Sequence, residues 1–197
     1  EGLGALRVGD FALVVVHASH GVLVGTDKVW EYANRYHLPK MVVVNGLDKE
    51  HVNFDAILVQ VKEHFGSKVF PMTLPLNAGP GFNQVLDVLR NEVITYKTDG
   101  SGKYEELPAT GKVAERVKAL HRELIEHVAE GDDKLMEKFF EQDGLAEDEM
   151  RAGIHKAIQE EVFIPLYATS AETNVGVARL MDFIAKYGSS PLDRSEV

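Results

Sequence analysis

Two short apolar runs constrain this chain more than anything else in it. Phe11 to Val16 reads FALVVV, and Met41 to Val44 reads MVVV. Both are rich in β-branched residues and have no polar alternation, so each reads as a strand buried on both faces. Between them, Val22, Val29, Trp30, Ala33 and Tyr36 fall at helical spacing within Val22 to His37. Pro39 then stops the helix. A strand, a helix and a second buried strand at this distance make a βαβ unit, which implies a parallel sheet. Asn53 to Phe65 reads as the next helix, with Phe54, Ile57, Leu58 and Val61 on one side and Gly66 as its stop.

The middle of the chain has a different pattern. Val69 to Leu76, Phe82 to Leu89 and Glu92 to Lys97 read as shorter strands or a strand–helix mixture. Turns at Asn77-Ala78-Gly79-Pro80-Gly81 and Asp99-Gly100-Ser101-Gly102 separate them. Three helical stripes follow, first Val113, Val117, Leu120, Leu124 and Val128, then Leu135, Met136, Phe139 and Phe140, then Met150, Ile154 and Ile158. Val162 to Tyr167 is again a buried strand, and Val177 to Tyr187 a final amphipathic helix. The predicted fold class is therefore α/β, a parallel sheet interrupted by an inserted α+β subdomain. Residues 1–68 and 162–187 belong to the sheet domain, residues 69–161 to the insertion, and residues 188–197 to a linker.

Composition narrows the function. With no cysteine in 197 residues, disulfides, thiol nucleophiles and zinc–thiolate sites are excluded. No apolar run approaches the roughly 20 residues needed to cross a bilayer. The formal net charge of -10 opposes a broad nucleic-acid-binding face, because phosphates repel it.

Two polar clusters follow buried strands, where ligands of parallel sheets bind. The first is Asn45-Gly46-Leu47-Asp48. A fixed carboxylate at Asp48 can accept both of the adjacent N–H donors of guanine, a pair that adenine lacks. The Asn45 carboxamide can donate to a ring acceptor and brace neighbouring loops. The plainer reading is a strand-to-helix turn whose Asn and Asp cap backbone groups. The second cluster is Thr169-Ser170-Ala171. A backbone N–H here can reach the guanine carbonyl while Ser170 holds the loop, and the plainer reading is a helix N-cap. Together the clusters point to a guanine site more strongly than either does alone. His17 and His20 lack the carboxylate or cysteine pattern of a metal site.

These residues resemble the translational GTPases, and specifically elongation factor G. ALRVGDFALVVVHASHGVLVGTDKVW looks like the segment after the second switch region, and MVVVNGLDKE like the guanine-specificity motif. FPMTLPLNAGPGFNQVLDVLRNEVITY resembles the start of the family's inserted subdomain, and AEGDDKLMEKFFEQDGLAEDEMRAGIHKAI its helical end. IPLYATSAETNVGVARLMDFIAKYGSSPLD looks like the second guanine loop, the last helix and the exit. The resemblance implies the C-terminal half of a P-loop GTPase-type sheet. It makes Asn45, Asp48, Ser170 and Ala171 guanine-binding, with Gly46, Leu47 and Thr169 supporting the loops. It implies a cytoplasmic translation factor that hydrolyses GTP while moving tRNA and mRNA through the ribosome. Its partners would be the ribosome and, through the insertion, the ribosomal stalk protein.

Departures and gaps qualify this. The family's motif is Asn-Lys-x-Asp, but position 46 is Gly, and His17 stands where many relatives carry Asp. Gly188-Ser189-Ser190-Pro191 replaces the usual Leu-Pro-Ser-Pro exit. Restoring Lys at position 46 is expected to brace the site and tighten GTP. The sequence contains no G-x-x-x-x-G-K-[ST] phosphate loop. Gly102-Lys103 is followed by Tyr104, and Gly111-Lys112 by Val113. The residues that hold Mg2+ and catalyse hydrolysis are expected outside this segment. By itself the segment is expected to bind GTP weakly and to hydrolyse none. The alternatives are a ribosome-recycling paralogue and a degenerate, non-hydrolysing ribosome-binding module.

Overall fold

The computed structural model describes residues 2–130, 132–142 and 144–193. The chain opens with a short helix, α1 (Gly2–Val8), and enters the first strand, β1 (Ala12–His17). Helix α2 (Val24–Arg35) returns it to β2 (Lys40–Asn45), and α3 (Phe54–Phe65) carries it to β3 (Val69–Pro71). Four strands of a second sheet follow: β4 (Thr73–Pro75), β5 (Gln84–Asp87), β6 (Glu92–Tyr96) and β7 (Tyr104–Pro108). Then come α4 (Gly111–Ala129), α5 (Asp133–Gln142), α6 (Glu147–Gln159), β8 (Ile164–Ala168) and α7 (Val177–Tyr187). Among the described residues no helix is long and apolar enough to cross a membrane.

The first sheet is wholly parallel, with strand order β1-β2-β8-β3. Val14 lies opposite Val42, His17 opposite Asn45, Val44 opposite Ala168 and Pro71 opposite Leu166. β8 is buried at every position and β2 at all but its last, as central strands covered on both faces require. The edge strand β1 alternates instead, burying Ala12, Val14 and Val16 and exposing Leu13 and Val15. α2 and α3 meet through Trp30 and Phe65, whose rings stack with centroids 4.0 Å apart. α3 is capped by Asn53, whose side-chain oxygen accepts the Ala56 N–H at 3.1 Å.

The second sheet is antiparallel, in the order β4-β5-β6-β7. It abuts β8 directly: Ala168 N–H donates to Thr73 Oγ1 at 2.9 Å, and Met72 N–H to Leu166 O at 2.8 Å. α6 packs on α4 and α7, and the apolar stripes of these helices join one continuous core with both sheets. On the other side, Arg179 of α7 lies only 5 % exposed among carboxylates of the second sheet. It pairs with Asp87 at 3.6 Å, Glu92 at 3.7 Å and Glu106, and sits over the Tyr104 ring at 5.5 Å. Burial pushes the Asp87 carboxyl above its ordinary value, although the Arg90 backbone N–H and the Arg179 charge pull the other way.

The exposed face of β1 departs from the sequence reading, which had that strand buried on both faces, and three further details differ. Val69–Pro71 pairs with β8 inside the parallel sheet, so the chain crosses to the second sheet at Met72 and not at residue 69. Three residues are too short to show a period. β7 escapes the sequence reading, because an exposed edge strand reading YEELP has no apolar alternation. Residues 188–193 are docked on α6: Gln159 Nε2 donates to Ser189 Oγ at 2.6 Å, and His155 Nε2 lies 3.2 Å from Asp193 Oδ1. The rest of the expected linker, residues 194–197, lies outside the described residues.

The sheet predicts a contrast between two apolar residues. Leu166 is fully buried, and Val15 is 53 % exposed. Leu166→Ala is expected to cost about 2–5 kcal/mol in denaturant unfolding. Val15→Ala is expected to stay within about 0.5 kcal/mol. Equal losses would show that β1 is covered in solution.

Candidate functional site

β2 and β8 are parallel neighbours in register, so their carboxyl ends emerge side by side. This places Asn45 and the turn after it next to Thr169, Ser170 and Ala171. Asn45 Oδ1 accepts the Ala171 N–H at 2.8 Å and lies 3.3 Å from Thr169 Oγ1. Ser170 Oγ donates to Asp48 Oδ1 at 2.6 Å and accepts the Thr173 N–H at 3.2 Å. Main-chain bonds continue the seam, Thr169 N–H to Val44 O at 2.9 Å and Leu47 N–H to Thr169 O at 3.2 Å. The Leu47 side chain is fully buried beneath the turn, and Gly79 N–H donates to its carbonyl at 2.7 Å. The loop after β8 is itself closed by a reciprocal pair of bonds between Ser170 and Val175, each 2.9 Å.

The structure thus joins Asn45, Leu47, Asp48, Thr169, Ser170 and Ala171 in one network. One main-chain donor of the second cluster is occupied: the Ala171 N–H is given to Asn45 here. The Asn45 amide nitrogen makes no hydrogen bond among the described residues. Asp48 uses one lone pair on Ser170, and Lys49 Nζ stands 3.2 Å from its other oxygen. A carboxylate has about four acceptor positions. Both Asp48 oxygens therefore keep capacity for a paired N–H donor.

Burial alone would raise the Asp48 carboxyl. The Ser170 hydroxyl and then Lys49 outweigh it and hold the pKa below the ordinary 3.8. Asp48 is therefore an anion throughout the neutral range. Lys49 also pairs with Glu172, so it ties the two loops together by charge. Its own pKa is raised, first by Glu172 and then by Asp48. Neither Lys49 nor Glu172 stands out in the sequence, since each only follows a recognised cluster and carries no spacing signal of its own.

Gly46 has φ +83, a left-handed conformation that favours glycine. A Cβ built on it would lie 3.0 Å from His17 Nε2. The expectation that Lys at position 46 would simply restore a brace is thereby corrected. In this backbone any side chain there is strained and meets the histidine. His17 and His20 bring their Nδ1 atoms within 3.2 Å, and among the described residues no group of three or more metal-ligating side chains forms. A cavity of about 610 Å3 lined by His121, Arg151 and Lys186, among others, contains no residue of either loop.

The Ser170–Asp48 bond carries a prediction. A carboxyl with a depressed native pKa adds stability that is present above its ordinary value and lost as pH falls through the native one. Ser170→Ala is expected to raise the Asp48 pKa toward 3.8 and to cost about 1–3 kcal/mol at pH 7. NMR titration of the Asp48 carboxyl, with denaturant unfolding, measures both. An unmoved Asp48 pKa would show that the hydroxyl does not hold this carboxylate in solution.

Residues 1–190 match the family model of the elongation factor Tu GTP binding domain. Among solved structures, the chain is similar to one from Thermus thermophilus, described as the crystal structure of ttk003000868. The match has 32% sequence identity and a TM-score of 0.87, and it covers 98% of this chain but 29% of that one. With the family model spanning nearly all of the chain and two strand-end loops meeting as a nucleotide domain of this kind needs, the chain belongs to the elongation factor Tu GTP-binding domain family, and so to the translational GTPases.

Proposed function

We propose that this chain is the guanine-reading part of the nucleotide domain of an elongation factor G-type translocase. The observation that carries the reading is the joined pair of loops. Asp48 is ionised with spare acceptor capacity, and beside it the Asn45 amide nitrogen makes no hydrogen bond among the described residues. This donor and acceptor set fits guanine, which offers adjacent N–H donors on one edge and ring acceptors on another. Asp48 would take the paired donors, Asn45 a ring acceptor, and the Ala171 N–H the carbonyl once released from Asn45. Ser170, Leu47 and Thr169 would hold these groups in place.

The GTP phosphates and Mg2+ would be bound by residues outside this segment, which contributes no step to their chemistry. The insertion reading is supported by topology. β3 and β8 are adjacent strands, yet the second sheet and α4–α6 lie between them in sequence. In this reading residues 1–68 and 162–187 are nucleotide domain, and most of 69–161 is a docking subdomain for the ribosome and its stalk protein. A role in translocation, with a cytoplasmic location, follows from the elongation factor G-like insertion. Gly46, standing where the family's motif has Lys, favours one alternative, a ribosome-binding module that retains the fold and has lost nucleotide affinity.

Base preference tests the reading in the full-length protein. Asp48→Asn replaces one acceptor oxygen with a donor. It is expected to weaken GTP binding by about 1–3 kcal/mol, roughly 5- to 150-fold. It should also improve xanthosine triphosphate binding, because xanthine has a carbonyl where guanine has its amino group. Equilibrium titration with both nucleotides reads the change. An unchanged preference would reduce Asp48 to a turn-capping residue. A wild type that binds neither nucleotide would favour the degenerate module.

A second expectation concerns residues 1–197 in isolation. Positioning and charge neutralisation of the phosphates supply nearly all catalysis in phosphoryl transfer. Phosphate-release assays are expected to show no turnover above background with this segment. Turnover inhibited by excess GDP would overturn that expectation.

A further inference from the structure

His17 is the last residue of β1 and lies opposite Asn45 in the sheet register. Its ring is held from both sides of Nδ1. The Ser19 N–H points to Nδ1 at 3.1 Å, and His20 Nδ1 stands 3.2 Å away. A main-chain N–H can only donate, so His17 Nδ1 is the acceptor. The neutral ring then carries its proton on Nε2. That edge of the ring faces Gly46. An ideal Cβ on Gly46 would stand 3.0 Å from Nε2, 3.2 Å from Cε1 and 3.5 Å from Cδ2. The imidazole therefore occupies the space beside the turn that a side chain at position 46 would need. The next residue joins the same contact, since Ala18 N–H donates to Asn45 O at 2.7 Å.

We propose that His17 is a positioning residue of the guanine site, its ring packing on Gly46 to hold the Asn45–Asp48 turn in the geometry that binds the base. The inference rests on the guanine reading above. It says that position 46 and position 17 act as one unit. Glycine tolerates the left-handed backbone and leaves room for the ring, and the ring supplies the lateral support that glycine lacks. His17 acts through Asn45 and Asp48 and does not itself read the base.

A double-substitution cycle tests this in the full-length protein, with a fluorescent GDP analogue as the probe. His17→Ala is expected to weaken binding about three- to tenfold, with faster dissociation, because the turn loses its support. Gly46→Ala is expected to weaken binding about tenfold when His17 is present. With His17→Ala in place, the same change should cost at most about threefold, because only the backbone strain is left. Thermal unfolding without nucleotide checks the fold of each variant. If His17→Ala fails to fold, His17→Asn keeps an acceptor for the Ser19 N–H, loses the ring against Gly46, and should show the same coupling.

Strict additivity of the two substitutions would overturn the proposal, as would unchanged GDP affinity in His17→Ala. A shift in the nucleotide-free melting point with no change in dissociation rate would also overturn it, since that marks a purely structural residue. Asp48→Asn in the same titration separates the failures. If its base preference stays with guanine, the guanine reading fails and this proposal falls with it. If it shifts toward xanthine while the cycle is additive, only the His17 proposal fails.

Discussion

Everything in this chain depends on β8 finding its place between β2 and β3. It is buried at every residue and hydrogen-bonded on both sides. A five-residue strand with no exposed face gains its stability from enclosure, and enclosure needs partners far away in sequence. Those partners are the strands on either side and the crossing segment at Met72–Thr73, which bonds to β8 at Leu166 and Ala168. Once β8 is seated, its carboxyl end brings Thr169–Ala171 alongside Asn45. The site is a by-product of strand order.

The site's own bonds then fix details that strand order leaves loose. Each loop supplies what the other lacks. Asn45 offers an acceptor and takes the Ala171 N–H, while Ser170 offers a hydroxyl and steadies Asp48. Lys49 closes the outer rim through Asp48 and Glu172. The outer pair is exposed to water and adds little stability, whereas the Ser170 bond lies deeper and helps hold the Asp48 pKa below its ordinary value. The arrangement places an anion at neutral pH beside an amide whose nitrogen makes no hydrogen bond among the described residues. Binding to such a prepared group loses less to ordering than binding to a mobile one.

Much of this is legible from residues alone, for identifiable reasons. MVVV is buried on both faces and FALVVV on only one, yet both announce themselves as strands by composition. Asn45, Asp48 and Ser170 are legible because polar residues directly after a buried strand stand out. β7 is not, since an exposed edge strand carries no burial pattern, and β3 is not, since three residues carry no period. Gly46 reads as a loss in the sequence and is a conformational requirement in the fold, visible only with its φ angle and the His17 ring beside it. Lys49 and Glu172 matter through a contact between residues far apart in the chain, which no local pattern encodes.

Arg179 gives the molecule a mechanical property. It stands in the first turn of α7, just past the Ser170–Val175 closure, and its charge is held by carboxylates from β5, β6 and β7. Pulling a buried guanidinium away from all of its carboxylates costs several kcal/mol, because each ion would be left uncompensated. Separating α7 from the antiparallel sheet therefore requires breaking these ion pairs together. This helix starts where the loop after β8 ends. A change at the carboxylate face of the antiparallel sheet thus has a short physical connection, through Arg179, to the start of the helix that follows that loop.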